Sequence, residues 1–104
     1  MKRHCRDAAG FIERFGPDFD TFISDRAYYN AVTMCLLQIG ELANGLSEDF
    51  RLETGREMPW NKIRGMRNLL AHNYSNADEE TVWKTALHDL PALAAFCARY
   101  LESE

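Results

Sequence analysis

The chain has 104 residues, 46% of them hydrophobic, with 12 lysines and arginines against 16 aspartates and glutamates for a net charge of −4. That length sets the expectation at one domain over residues 1–104 with a single core. No apolar run approaches the roughly 20 residues of a membrane span, and Met1-Lys2-Arg3-His4-Cys5-Arg6 has no apolar stretch behind it to make a signal peptide, so a cytoplasmic protein with no membrane association is expected.

Cys5, Cys35 and Cys97 are odd in number and far apart, which suggests reduced thiols rather than a disulfide framework or a zinc site. The net acidity argues against broad, nonspecific affinity for nucleic acid. Its distribution is uneven. Residues 7–50 hold two positive and eight negative side chains, whereas residues 51–67 hold five positive (Arg51, Arg56, Lys62, Arg64, Arg67) and two negative. On charge alone such a patch reads first as a solvated surface.

In chain order, apolar residues recur at spacings of three and four, the period of helices. Ala8, Phe11, Ile12 and Phe15 make a first short face, predicting a helix over 2–15 that ends at Gly16-Pro17. A short helix is expected near 18–23. Ala31, Cys35, Ile39 and Leu42, joined by Val32, Leu36 and Ala43, predict a long helix over 25–46. A short piece follows near 48–54, Gly55 and Pro59 mark a break, and a helix over 60–74 carries the end of the basic patch. The last stretch, 78–102, opens on Asn76 with Glu79 three residues on. Pro91 interrupts it, either starting a new helix or kinking a continuous one. These elements make an all-α bundle of four to five helices.

The segment Arg67-Asn68-Leu69-Leu70-Ala71-His72-Asn73-Tyr74 stands out. With Arg67 as origin and about 100° per residue, Ala71 falls near 40°, Asn68 near 100°, His72 near 140° and Tyr74 near 340°. Ile63, Met66, Leu69 and Leu70 fall on the other side and form the expected core stripe. One face therefore presents Arg67, Asn68, His72 and Tyr74 around two small residues, Gly65 and Ala71. Arginine offers planar donors that match phosphate oxygens and cannot lose its charge. Histidine takes or gives a proton near neutrality. Asn68 can orient the imidazole or hold substrate, and Tyr74 adds a hydroxyl and a stacking ring. Phosphodiester cleavage by a neighbouring 2′-hydroxyl uses such parts without metal or cofactor: a base, an acid, and a cation for the charged pentacovalent state. Arg67 is the candidate for charge stabilisation and His72 for proton transfer. One helix supplies one histidine for two proton transfers, which makes a two-fold dimer a natural expectation. Taken alone, an Arg and a His five apart more often mark a solvated helix.

Other residues carry less. His4 and His88 read as surface or capping groups, and Trp60 and Trp83 as packing residues rather than base platforms. Glu41 has two readings, orienting Arg67 in a cleft or pairing structurally with some other cation. Asp18 and Asp20 have no metal-site companion, and no E-x-x-H pattern occurs.

The chain resembles the HepT-like group of HEPN domains, the toxins of HepT–MntA (type VII) toxin–antitoxin pairs. The likeness rests on Leu37-Gln38-Ile39-Gly40-Glu41-Leu42, Leu46-Ser47 with Phe50, Met58-Pro59-Trp60 with Ile63, the R-x-x-x-x-H-x-Y segment, Trp83, Asp89-Leu90-Pro91-Ala92-Leu93 and Phe96-Cys97. It spans about Arg3 to Leu101. The resemblance implies an up-and-down helical bundle acting as a homodimer, with the motif helices meeting in a cleft, and a metal-independent endoribonuclease that requires Arg67 and His72. It also implies an MntA-like minimal nucleotidyltransferase antitoxin that transfers AMP to Tyr74, placing bulk and negative charge where RNA phosphates would bind. The alternative from the same residues is a non-catalytic helical module that docks a nucleotidyltransferase and binds nucleotide. A structural bundle without an active centre is the third possibility.

Overall fold

The computed structural model describes residues 1–73 and 78–100, and all the regular structure among them is helical. The order is α1 (Lys2–Phe15), α2 (Phe19–Ser24), α3 (Arg26–Asn44), α4 (Glu48–Glu53), α5 (Trp60–Asn73), α6 (Glu79–Lys84), a π-helical turn (Thr85–Asp89) and α7 (Leu90–Tyr100). The all-α bundle expected from the 3.6-residue period is what forms.

Helix starts follow the short polar residues. Asp18 accepts from the Thr21 N–H (2.9 Å), Asp25 from Ala27 (3.0 Å) and Tyr28 (3.3 Å), and Ser47 from Phe50 (3.1 Å). Each cap satisfies a donor that the first helical turn leaves without a partner. At α6 the Asp78 carboxylate, immediately before the first turn, receives the Glu80 N–H at 3.1 Å. Asn76 lies outside the described residues. Gly16 ends α1 at φ +99°, where a side chain would be strained, and its carbonyl accepts from the Tyr28 hydroxyl at 2.9 Å.

An α-helix does open after Asp89: α7 starts at Leu90 with Pro91 in its first turn, and the π turn Thr85–Asp89 joins it to α6. Proline lacks the N–H for the carbonyl one turn back and its ring crowds that carbonyl, so a widened turn accommodates both.

The core runs through all the long helices. Phe22, Tyr28, Tyr29 and Trp83 gather where α2, α3 and α6 meet, with Phe22 and Trp83 ring centres 4.8 Å apart. A second aromatic group ties the start of α5 to α7: Trp60 meets Phe96 edge-on at 5.4 Å and is 4% exposed. The Trp60 indole donates to Thr54 Oγ1 at 2.9 Å. Both tryptophans are thus packing residues, as expected, and neither offers a free ring face. Ile63, Met66 and Leu70 bury the inner side of α5 alongside Leu36 and Ile39 of α3. Full burial of each such side chain is worth roughly 1.5–3 kcal/mol.

Two residues of the expected core stripes lie outside. Leu42 is 42% and Leu69 36% exposed. Helix periodicity assigns a stripe but not its width, and α3 and α5 pack through a narrower seam than the sequence suggested.

Cys5, Cys35 and Cys97 are buried and unbridged. Burial pushes the Cys5 thiol up to about 12 and that of Cys35 to about 11, and raises Cys97 too. Because the thiolate is the nucleophile, the native protein at pH 8 is expected to react with a thiol-specific disulfide reagent only slowly. All three thiols should titrate once it is unfolded. Rapid stoichiometric labelling of the native chain would contradict this packing.

Candidate functional site

Pro59 immediately precedes helix α5, and its carbonyl takes the N–H groups of Lys62 (3.0 Å) and Ile63 (3.1 Å). Proline suits this position because the first-turn N–H it lacks has no helical partner anyway. The buried Trp60, Ile63, Met66 and Leu70 fix how the helix is rotated. That rotation turns Arg64, Arg67, Asn68, Ala71 and His72 away from the core. Arg67 is half-buried; Asn68, Ala71 and His72 are exposed.

Arg67 is held from two sides. Its Nε donates to Glu41 Oε1 of α3, and its Nη1 donates to Asn68 Oδ1 at 3.0 Å. With Arg67 30% and Glu41 49% exposed, this pair contributes little stability, about 0–1 kcal/mol. Its effect is orientation: a long side chain is kept in one place with its remaining N–H groups available. Of the two readings for Glu41, the pairing with Arg67 itself is the one that occurs.

The close approach of α3 and α5 rests on Gly40. A Cβ built there would lie 2.2 Å from Arg67 Cβ and 3.1 Å from its Cα, so only glycine lets the backbone of α3 pass this near. The next turn repeats the pattern, with Arg64 Nε donating to Asn44 Oδ1 at 2.6 Å. Glu41 and Asn44, three apart on α3, thus hold Arg67 and Arg64, three apart on the antiparallel α5. Asn44 and Gly40 were not singled out as site residues by the chain's pattern. The only sign of them was the small, polar end of the α3 sequence.

His72 lies in the last turn of α5, about 140° round the axis from Arg67. The structure therefore brings Arg67, Asn68 and Glu41 together and leaves His72 on the same outward side but further along. Tyr74 lies outside the described residues. On α3, Met34 (50% exposed), Gln38, Glu41 and Leu42 form an open stripe at helical spacing next to Arg67. Among the described residues, no three His, Cys, Asp or Glu side chains gather as metal ligands would, and no helix is long and apolar enough to cross a membrane.

A family model described as Ribonuclease HepT-like matches residues 1–100. A protein named "Probable ribonuclease HepT" from Thermococcus cleftensis is 34% identical over 102 residues, covering 89% of this chain and 92% of that one. "Putative RNase TTE0752" from Caldanaerobacter subterraneus subsp. tengcongensis is 34% identical over 94 residues, 89% of this chain and 83% of that one. "Putative RNase MJ0125" from Methanocaldococcus jannaschii is 37% identical over 76 residues, 73% of this chain and 65% of that protein's length. No solved structure matches the chain. With a family model that matches residues 1–100 and a relative 34% identical over 89% of this chain and 92% of its own length, the chain belongs to the HepT-like ribonuclease family.

Proposed function

We propose that this protein is a metal-independent endoribonuclease, the toxin of a type VII toxin–antitoxin pair, working in the cytoplasm. The observation that carries the reading is Arg67, fixed by Glu41 and Asn68 on an open face, with His72 five residues on in the same helix. The family match supports RNA as substrate. Arg67 stabilises charge on the pentacovalent phosphate, and His72 moves a proton between the 2′-hydroxyl or the leaving oxygen and solvent. Asn68 holds Arg67 and contributes to substrate binding.

Two proton transfers need two groups, and one chain offers a single histidine on this face. A homodimer that apposes two α5 helices supplies the second. The open stripe of Met34 and Leu42, with the small Gly65 and Ala71 on α5, supports such a contact beside Arg67. The direct test is cleavage of single-stranded RNA by the purified chain in EDTA. Activity that disappears in EDTA and returns with magnesium would remove the metal-independent mechanism.

The antitoxin in this reading is an MntA-like minimal nucleotidyltransferase that adds AMP to Tyr74. Incubation with such an enzyme and ATP is expected to raise the mass of the Tyr74 peptide by one or more AMP units and to stop RNA cleavage. Full neutralisation with an unmodified Tyr74 would mean inhibition by binding alone.

A further inference from the structure

A groove of about 760 Å³ opens between α4 and the start of α5, a volume in the range of roughly 300–1,000 Å³ typical of ligand sites. Its cations are Arg51, Lys62 and Arg64, and Glu48 is the one acid among its lining residues. In a chain of net charge −4 this is a local positive surface. Arg51 is partly engaged: one Nη lies over the carbonyls that end α3, 3.2 Å from that of Ala43. Lys62 Nζ sits 2.8 Å from Asp89 Oδ2, an oxygen the protein encloses, so its charge is largely offset. Arg64 is different. Asn44 takes its Nε, and among the described residues nothing takes its terminal nitrogens, which leaves both for a ligand.

Arg64 also joins the groove to the centre described above. It lies one helical turn before Arg67, about 4.5 Å along the axis and 60° round it. Both guanidiniums are held by Nε from successive turns of α3, through Asn44 and Glu41. Two arginines fixed in the same manner, one in the groove and one in the centre, make a track for successive phosphates. Exposed Leu52 and Pro59 at the rim give bases an apolar surface to lie against. We propose that the groove between α4 and α5 binds the single-stranded RNA flanking the scissile phosphate, with Arg64 as its principal phosphate contact. This rests on the ribonuclease reading, and the test keeps the two apart.

Binding is measured by fluorescence anisotropy of a labelled, mixed-sequence 12-nucleotide RNA on a His72→Ala background, where chemistry is switched off. Arg64→Ala is expected to weaken binding several-fold and Arg64→Glu more so, while Arg64→Lys recovers part of the loss. The slope of log affinity against log salt should fall by about 0.7 per phosphate contact removed. Lys84→Ala, on the exposed surface of α6 where the lysine pairs with Glu80, should bind as the background does. The Arg64 effect should shrink with a dinucleotide that spans only the scissile phosphate. Unchanged 12-mer affinity and salt slope in Arg64→Glu would overturn the groove. So would an equal loss with the dinucleotide, which would place Arg64 in the centre itself. Arg64→Glu binding RNA normally but losing a nucleotidyltransferase partner would make the groove a protein-docking face instead. Failure of the ribonuclease reading shows separately, as RNA left intact by the wild-type chain or cleaved equally well without Arg67 or His72.

Discussion

Arg67→Ala and His72→Ala are each expected to abolish measurable RNA cleavage in EDTA while leaving a folded helical protein. The size of the effect follows from the chemistry assigned to each side chain. Removing one preorganised donor to a developing oxyanion costs about 10²–10³ in rate. Losing a general acid or base costs about 10²–10⁴. Stability should barely move, because Arg67 is half-buried and His72 is exposed, and neither fills core volume. Surface substitutions of this kind usually stay within about 0.5 kcal/mol. Arg67→Lys sharpens the argument: it keeps the charge but loses the planar group that bonds Glu41 and Asn68 from different nitrogens. Partial activity is expected from it, with a larger loss in kcat than in KM. Cleavage at wild-type rate by either alanine variant, in preparations shown free of contaminating nuclease, would remove the proposed centre.

Gly40→Ala is expected to damage both stability and activity. The added methyl would meet Arg67 Cβ at 2.2 Å, and the obstacle includes the Arg67 backbone rather than only a flexible tip. Helix α5 must then shift from α3, at a cost of about 1–3 kcal/mol for overpacking. In a domain of this size each kcal/mol lowers Tm by roughly 4–8 °C. The same shift moves Arg67 away from Glu41, so activity should fall even where the variant remains folded. Gly65→Ala is the contrasting substitution. Among the described residues, nothing beyond its chain neighbours and its own helix backbone lies within 4 Å of a Cβ there, and alanine is the better helix former by about 1 kcal/mol. It should raise the Tm of the monomer. If Gly65 faces a second subunit, the gain in stability would come with weaker dimerisation, readable by sedimentation. A Gly40→Ala protein with unaltered Tm and activity would show that the helices do not approach as described.

Local features of the fold were legible in the chain because they depend on neighbours in sequence. The periodicity of Ala8, Phe11, Ile12 and Phe15 gave α1, and Gly16-Pro17 its end. The core side of α5 could be read from Ile63, Met66 and Leu70. The widened turn before Pro91 could not be chosen over a kink or a break, since that depended on what Thr85, Ala86 and Leu90 pack against. Leu42 and Leu69 looked like core because a helical wheel records direction, not the distance to the next helix.

The candidate site divides in the same way. Arg67, Asn68 and His72 share a helix, so a fixed 100° step per residue placed them on one side before any tertiary contact was known. Their resemblance to a ribonuclease family was likewise carried by residue order alone. Glu41 and Asn44 are 26 and 20 positions from the arginines they hold, and no local rule relates residues so far apart. Only the antiparallel packing of α3 on α5, allowed by the missing side chain at Gly40, decided that two guanidiniums would be fixed in register. The sequence by itself determined which chemical groups face outward; the tertiary structure decided which of them are held still, because orientation comes from partners that chain order does not reveal.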